Sequence, residues 1–405
     1  MVQYYIERIC DGIRHILIKK EIRVMHISKN SATQIVEEIS KLVKQNINLM
    51  DETGHIIASR DKSRIGDFHY GAYKIISENL EEYYIDEDDL SKGIKKGINL
   101  PLELDGGIEF FRKAVELQKK YNKNDISVTN ALQTNGLLLD EEWCQFFKEN
   151  HFLVGVSIDG IKEIHDKLRH NKTKGGTFEK IEKGIELLEH FEVEYNILTV
   201  VSHDVACNIE KIYRFYKEKG WNYQQYIACL DPLGETRGEN EYSLKPQEYG
   251  VFLTKLFDLW YEDYLKGQQP YIRQFENYAG IIMGYAPEAC DQRGICSIQN
   301  VVEADGSVYP CDFYMLDEYK LGNFNEDRLE DIHNRAVETD YISRSKKNDR
   351  ECQECRYYKV CRGGCFRNRD YQEKLDAYRN YFCQGYQYFF DHCLTRLEKM
   401  CYTIR

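Results

Sequence analysis

The amino-acid sequence predicts an α/β protein with a parallel sheet, a cysteine-rich region after the sheet and a small α+β region before it. Between residues 108 and 230, strand patterns alternate with amphipathic helix patterns, as in a parallel sheet, open or rolled into a barrel. Eight cysteines fall between residues 290 and 383. Before residue 105, a helix pattern leads into two short strand patterns. The 405 residues are enough for two or three domains.

The front region is predicted to contain both helices and strands. Residues 31–45 carry apolar side chains on one helical face. Two strands are expected at residues 47–49 and 55–58, joined by a turn at residues 51–54. A further helix is expected over residues 71–78, and a strand over residues 98–104.

The middle region is predicted to form the parallel sheet. A helix over residues 108–121 precedes four strands, predicted at residues 126–132, 152–158, 195–201 and 225–230. The helices between them are expected at residues 141–148, 178–189 and 209–219. Functional residues in such folds lie at the carboxyl ends of the strands, here residues 133–136, 157–160, 202–204 and 230–232.

The cysteine-rich region has the spacing of metal ligands. Residues 352–365 read C-x2-C-x5-C-x3-C, and C-x2-C lets two sulfurs of one turn face one metal centre. Four more cysteines bring the number to that of two four-thiolate sites; they are Cys290, Cys296, Cys311 and Cys383. On spacing alone, two zinc sites and two iron–sulfur clusters are equally compatible. The remaining six are expected to be buried apolar thiols (Cys10, Cys144, Cys207, Cys229, Cys393, Cys401). A strand pair is expected at residues 301–304 and 307–309.

Composition limits the function classes. The formal net charge of −12 argues against a general nucleic-acid binder, which would present a basic face. Charged residues interrupt the first twenty positions, so no export signal is expected, and no stretch has the length of a membrane span. Fourteen cysteines without an export signal indicate metal ligands and free thiols in a cytoplasmic protein.

Three segments carry a resemblance to a known family. They are residues 132–136 (LQTNG), 152–160 (FLVGVSIDG) and 305–314 (DGSVYPCDFY), and the cysteine array completes the match. From Gly107 to about Leu397, the chain resembles the anaerobic sulfatase-maturating enzymes, which are radical S-adenosylmethionine proteins with a C-terminal SPASM domain. The resemblance implies a radical-SAM-type partial (β/α) barrel over residues 107–286, with its first strands missing, and a SPASM domain over residues 287–397.

The resemblance implies two auxiliary [4Fe–4S] clusters. The first cysteine set would be Cys290, Cys296, Cys311 and Cys365, and the second cysteine set Cys352, Cys355, Cys361 and Cys383. Asp312 matches the family's proton acceptor, since a carboxylate there can deprotonate the target as hydrogen leaves its neighbouring carbon. The alternative for Asp312 is an exposed carboxylate beside a metal ligand.

The resemblance also implies a cofactor and partners. Positions that touch S-adenosylmethionine match Ser157, Arg169 and Leu230; taken alone, each would more often be a turn residue or a surface cation. In the family, a Cys or Ser of a sulfatase polypeptide is oxidised to formylglycine, and a deoxyadenosyl radical takes the hydrogen. An electron donor such as flavodoxin or ferredoxin is implied as well.

One departure from the family bears directly on activity. The family's radical cluster is held by C-x3-C-x2-C, and the sequence contains no such triplet. The Gly-Gly-Glu-Pro segment is also missing, and the matched stretch, residues 99–104, reads NLPLEL. Without three thiolates that leave one iron open, reductive cleavage of S-adenosylmethionine has no electron source. The chain alone is therefore expected to be inactive as a radical enzyme.

A second family resembles the front region. Residues 27–105, after an extension over residues 1–26, are similar to the sugar-diacid recognition domain of carbohydrate diacid regulators. The matching segments are residues 48–52 (NLMDE), 56–59 (IIAS), 64–72 (RIGDFHYGA) and 97–106 (GINLPLELDG). Arg64 and His69 suit a small dicarboxylate; the alternative is a solvated Arg and a satisfied surface His.

Both resemblances stop at residues 105–107 without a linker. Natural fusions join complete domains through flexible segments, so a recombined or misassembled reading frame is expected. A parallel sheet without its first two strands would expose an unpaired edge. Two other hypotheses stay open, a diacid sensor with redox or structural clusters, and a zinc-binding scaffold.

Overall fold

The computed structural model describes residues 33, 36–37, 48–50, 55–70, 73–74, 83–85, 97–99, 107–124, 126–171, 174–233 and 235–403, with the backbone alone at 83–85 and 97–99. The chain divides into two compact units, Met1–Gly106 and Gly107–Arg405. The finer domain limits at residues 26, 286 and 397 remain predictions.

The first unit contains two antiparallel strand pairs. Strand β1 (Asn48–Met50) pairs with β2 (Ile56–Ser59), and β3 (Tyr83–Ile85) pairs with β4 (Gly97–Asn99). The first pair lies one residue later than the sequence predicts. The expected turn at 51–54 lies outside the described residues, as do most of the expected helices at 31–45 and 71–78 and the expected strand beyond residue 99.

The second unit is built on a five-stranded parallel sheet. Its strands lie in the order β5 (Asn130–Thr134), β6 (Phe152–Ser157), β7 (Tyr195–Val201), β8 (Tyr223–Ala228) and β9 (Tyr271–Ile272). Central strand β6 has apolar side chains buried on both faces, as expected for a parallel strand covered by helices. The helices that precede, connect and follow these strands are Ile108–Tyr121, Glu141–Glu149, Lys162–Leu168, Phe178–His190, His203–Cys207, Ile209–Glu218, Pro246–Tyr264 and Arg273–Met283.

Strand β5 lies at the edge of this sheet. Its only partner among the described strands is β6, with Asn130 opposite Phe152. The sequence predicted an unpaired edge at this point. It also predicted a start at residue 126, but Ile126 and Val128 lie before the ladder and are exposed, since pairing begins only where Phe152 provides a partner.

Two long helices, not predicted from the sequence, connect the sheet to the cysteine-rich region. Helix Pro246–Tyr264 packs along helix Cys383–Thr403. Gly250 and Gly385 allow the close approach, because a Cβ on Gly250 would lie 2.8 Å from the Cα of Gly385. Both helices bury aromatic rings in the core, for example Phe252 and Phe389. Since Cys383 begins the second helix, this packing also positions a predicted ligand.

The cysteine-rich region consists of short elements. Three antiparallel strands form one small sheet, β10 (Val301–Val302), β11 (Ser307–Tyr309) and β12 (Gly322–Asn323), and two form another, β13 (Arg369–Gln372) and β14 (Ala377–Asn380). The expected hairpin is present, although β10 ends two residues early and β12 was not predicted. Gly306 closes the hairpin turn at φ 82°. The helices here are Leu329–Glu338, Tyr341–Ser345, Arg350–Gln353, Tyr358–Cys361 and Cys383–Thr403.

Candidate metal centre

The second cysteine set surrounds one cavity. Its thiols, together with four aromatic side chains, line a space of about 170 Å³. Two of the thiols come from short helices, Cys352 from Arg350–Gln353 and Cys361 from Tyr358–Cys361. A third, Cys383, is the first residue of the long C-terminal helix. The aspartate before the first of these helices accepts a hydrogen bond from the backbone N–H of Cys352 at 2.9 Å, which fixes the start of the C-x2-C turn.

Burial makes these thiols poor acids. It is the main cause that raises the pKa of Cys361 to about 12 and that of Cys352 to about 11, and neighbouring thiolates of the same set contribute to both values. These neighbours line the same cavity. Four thiolates in such a space need positive charge among them, and a metal centre provides it by displacing the thiol protons.

The first cysteine set is also brought together. Cys290 and Cys296 act electrostatically on Cys365, and burial is the main cause that raises the pKa of Cys365, to about 12. Cys296 and Cys311 both pack against the buried aromatic cluster that contains Tyr341, which links the remaining member to the others. These four thiols come from segments up to 75 residues apart, as Cys290 and Cys365 show.

The two sets are interleaved through one tight reversal of the chain. Cys361 of the second set and Cys365 of the first are separated by Arg362, Gly363 and Gly364, whose φ angles are 54°, 83° and 67°. Three successive left-handed residues turn the backbone sharply, and glycine adopts this conformation without a steric penalty. Cys361, before the reversal, lines the cavity of the second set, and Cys365, after it, does not.

Asp312 lies beside the first set. It begins a 3₁₀ turn, Asp312–Tyr314, and its side chain is exposed. Its Oδ1 accepts a hydrogen bond from the Sγ of Cys311 at 3.2 Å. The structure therefore shows an exposed carboxylate in contact with a predicted ligand, which is compatible both with a proton acceptor and with the plainer alternative.

The cysteines outside the two sets differ in burial. Cys144, Cys393 and Cys401 are buried in the core, as expected. Cys207 is exposed, so the expectation of a buried thiol is wrong there, and Cys229 is half-buried. Cys10 lies outside the described residues. Every cysteine in the described part of the chain is a free thiol.

The strand-end residues form a second polar cluster. Ser157 ends β6 and is buried, and Asp159 follows two residues later. Oδ1 of Asp159 accepts from the backbone N–H of Val200 on the neighbouring strand at 2.8 Å, and Oδ2 accepts from Nε of Arg169 at 2.5 Å. Because this bond uses only one of the five guanidinium donors, Arg169 retains others for an anionic ligand. The guanidinium of Arg169 is thus held in place by Asp159, in contrast to a solvated surface arginine.

A buried histidine supports this cluster. The Nδ1 of His165 accepts a hydrogen bond from the backbone N–H of Asp159 at 3.0 Å. Its Nε2 lies 3.1 Å from Oγ1 of Thr177, which itself donates to the carbonyl of Arg169. Burial is the largest cause that lowers the pKa of His165. The ring is therefore neutral at pH 7 and acts as a fixed structural acceptor. Sequence reasoning missed it, since its partners are the backbone N–H of Asp159 and the hydroxyl of Thr177, neither of which marks a histidine in the sequence.

Leu230 lies just beyond β8, at the same end of the sheet as Ser157. The following residue, Asp231, is buried. Burial disfavours its ionised form, but hydrogen bonds from Ser243, Asn240 and the backbone of Gly238 outweigh that cost and lower its pKa. Asp231 therefore fixes the loop that carries Leu230.

A larger cavity, of about 600 Å³, lies between the loop after β8 and the cysteine-rich region. Leu233 and Arg237 border it on one side, and Tyr314 and Tyr378 on the other. Tyr314 ends the 3₁₀ turn that Asp312 begins, so the predicted proton acceptor lies two residues from the lining of this cavity.

Arg64 and His69 of the first unit are both buried, with exposed fractions of 8% and 4%. The alternative of a solvated Arg and a surface His is therefore wrong. Burial lowers the pKa of His69, and the charge of Arg64 lowers it further. The Nδ1 of His69 has no hydrogen-bond partner among the described residues. A buried, unsatisfied ring nitrogen beside a guanidinium is an arrangement that a polar ligand would complete.

The donor sets fit iron–sulfur clusters. Within the ranges given above, no three Cys, His, Asp or Glu side chains converge as the ligands of a single ion. The second set instead borders a space several atoms wide, and four thiolates are the usual ligands of a [4Fe–4S] cluster. In the described part of the chain, no helix has the length and apolarity needed to cross a bilayer.

Two family models match the chain. Residues 27–108 match the family described as "Putative sugar diacid recognition", and residues 294–356 match SPASM, an iron–sulfur cluster-binding domain. The SPASM match contains four of the predicted ligands (Cys296, Cys311, Cys352, Cys355), and the other four lie outside it.

Individual proteins also match the chain in two groups, sulfatase-maturating enzymes over most of its length and a diacid regulator over a fifth of it. A cysteine-type anaerobic sulfatase-maturating enzyme of Clostridium novyi (strain NT) is 44% identical over 298 residues, which cover 74% of this chain and 80% of that enzyme. The solved structure of native anSMEcpe with bound AdoMet matches with a TM-score of 0.70 at 44% identity, over 74% of this chain and 82% of that one. The carbohydrate diacid regulator of Escherichia coli (strain K12) is 39% identical over 87 residues, which cover 20% of this chain and 22% of the regulator.

Proposed function

The chain belongs to the family of anaerobic sulfatase-maturating enzymes, and from this premise we propose that its two cysteine sets hold two auxiliary [4Fe–4S] clusters. The observation that carries the proposal is the second set, whose four thiols line one cavity. The first set is supported by the electrostatic contacts among its thiols and by the packing of Cys296 and Cys311 against the aromatic cluster of Tyr341. When bound, such clusters accept and pass on single electrons.

The roles of the other side chains follow from their positions. Asp312 would accept the proton of a target thiol or hydroxyl, because its carboxylate is exposed beside Cys311. Arg169, held by Asp159, would bind the carboxylate of S-adenosylmethionine, while Ser157 and Leu230 would contact the nucleoside. The cavity beside Tyr314 has room for a segment of a sulfatase polypeptide. An electron donor such as flavodoxin or ferredoxin would serve the clusters.

We further propose that this chain does not cleave S-adenosylmethionine. The cysteine triplet that would leave one iron open is absent from its 405 residues. The test is an anaerobic assay with dithionite and S-adenosylmethionine, in which 5′-deoxyadenosine is quantified. We expect none above the level of a Cys311→Ala/Asp312→Ala control. Reductant-dependent 5′-deoxyadenosine above that control would refute the proposal.

A second candidate function belongs to the first unit, which would bind a small dicarboxylate. The unpaired Nδ1 of buried His69 beside Arg64 favours it. A calorimetric titration with glucarate or glycerate should show heat for the full chain and none for Arg64→Ala. The matched control is Arg60→Ala, an exposed arginine of the same segment, which should retain binding. Absence of heat with the unmodified chain would remove this candidate.

A further inference from the structure

Arg369 is a buried cation whose hydrogen bonds to the described residues include none to a carboxylate. It begins β13, and only 6% of it is exposed. Its guanidinium donates five hydrogen bonds, which end on four backbone carbonyls and one side-chain amide oxygen. Neutral acceptors satisfy the N–H groups but leave the positive charge uncompensated, and a buried charge is costly without a countercharge.

The five acceptors come from the segments that carry both cysteine sets. Nη2 donates to the carbonyl oxygens of Gly294 and Gly364 at 3.0 and 2.6 Å, and Nε to that of Gly363 at 3.1 Å. Nη1 donates to the carbonyl oxygen of Ser345 at 2.7 Å and to Oδ1 of Asn348 at 2.8 Å. Gly294 precedes Cys296, the two glycines precede Cys365, and Asn348 precedes Cys352. One guanidinium thus holds ligand loops of both sets.

Cysteines of both sets act electrostatically on Arg369. Thiolates of Cys296 and Cys365, from the first set, and of Cys352, from the second, stabilise its charged form and oppose the effect of burial. A single positive charge therefore faces both predicted cluster sites. Reduction of a [4Fe–4S] cluster adds one electron and breaks no bond, so a nearby fixed cation favours the reduced state.

We propose that Arg369 is a shared electrostatic partner of the two clusters, and that its buried charge raises the reduction potential of both. This inference rests on the proposed function, because it requires that both cysteine sets hold clusters. Arg369 binds no substrate and supplies no cluster ligand. It positions the loops through its hydrogen bonds and tunes both centres through its charge.

The experiment is a potentiometric titration of the reconstituted full chain with dithionite and mediators, followed by electron paramagnetic resonance of the reduced clusters. Arg369→Gln removes the charge. At a fixed potential, we expect the ratio of reduced to oxidised cluster to fall by about tenfold at both centres, which is ~59 mV for a one-electron couple. Arg369→Lys keeps the charge, and its potentials should stay close to those of the unmodified chain.

Arg344→Gln is the matched control. This half-buried arginine lies in the same region and donates to the hydroxyls of Tyr378 and Tyr319, at 3.0 and 3.1 Å, so its loss should leave both potentials unchanged. If Arg369→Gln binds clusters at unchanged potentials, the proposal is wrong. If Arg369→Gln binds no clusters, the Arg369→Lys variant decides. Clusters retained in Arg369→Lys support a role for the charge, and loss of clusters from both variants contradicts it. Absence of clusters from the unmodified chain would refute the proposed function instead.

Discussion

Each cysteine of a set is expected to be needed for one cluster only. The thiol of Cys361 is half-buried and its pKa is raised to about 12, so we expect a metal centre to displace its proton. Cys361→Ser should lower the iron content from about eight to about four atoms per chain, because four belong to each cluster. Iron is measured after anaerobic reconstitution.

The control for this substitution is Cys229→Ser, a half-buried thiol outside both sets, which should keep the full iron content. Equal iron in the two variants would contradict the assignment of Cys361. The membership of the sets came from the family resemblance and not from spacing, since C-x3-C gives no reason to assign Cys361 and Cys365 to different sites. The left-handed turn between them supplies that reason in the structure.

His165 predicts a pH dependence of stability. Burial lowers its pKa below the value of about 6.5 of an unfolded histidine; Arg169 lowers it further, and Asp159 and Asp166 partly offset this. Below pH 6.5, the unfolded state therefore binds more protons than the folded state. The contribution of the neutral ring is complete above that pH and is lost as the pH falls through the folded pKa.

The measurement is the thermal midpoint at pH 7.5 and pH 5.5, for the unmodified chain and for His165→Gln. We expect His165→Gln to be less stable at both pH values, since it disturbs the bond to the backbone of Asp159. It should also lose less stability between them than the unmodified chain does. An equal loss in both proteins would show that His165 does not titrate in this range.

At the scale of elements, the crossing of the two long helices leaves no room for a larger side chain at its glycines. A Cβ on Gly385 would collide with the carbonyl oxygen of Pro246 on the facing helix. Gly385→Ala should therefore destabilise the second unit by about 1–3 kcal/mol, as overpacking usually does. Because Cys383 lies two residues earlier, the second cluster should be lost before the first. Denaturant unfolding and iron content check the two effects.

Gly280→Ala is the control within a neighbouring helix. A Cβ there would lie 3.9 Å from its nearest neighbour, an ordinary contact, so this variant should be as stable as the unmodified chain or more so. If Gly385→Ala matched it in stability and iron content, the helix crossing would not constrain the ligand.

Helices and strands whose apolar pattern is local could be predicted from the sequence, whereas features that depend on distant parts of the chain could not. Helix Ile108–Tyr121 and strand β7 lie where the sequence predicted them, because their apolar patterns are regular and local. Strand β5 was predicted too early, since its start depends on the partner strand. Arg369 was missed for a similar reason: its acceptors lie up to 75 residues away and are mostly backbone carbonyls.

At the scale of the whole molecule, the chain combines a region similar to a diacid regulator with most of a sulfatase-maturating enzyme. The second unit retains the parallel sheet, the cysteine-rich region and both thiolate sets. Its sheet begins at β5, whose outer edge pairs with no described strand. The chain thus carries a SPASM region, an iron–sulfur cluster-binding domain, and lacks the cysteine triplet C-x3-C-x2-C.

The most direct test of this account is the iron and acid-labile sulfide content of the anaerobically purified full chain. Two [4Fe–4S] clusters predict about eight irons and about eight sulfides per chain. Because the second set borders a space several atoms wide, we expect this result without a change of fold. Stoichiometric zinc without labile sulfide would contradict the central claim and favour a zinc-binding scaffold.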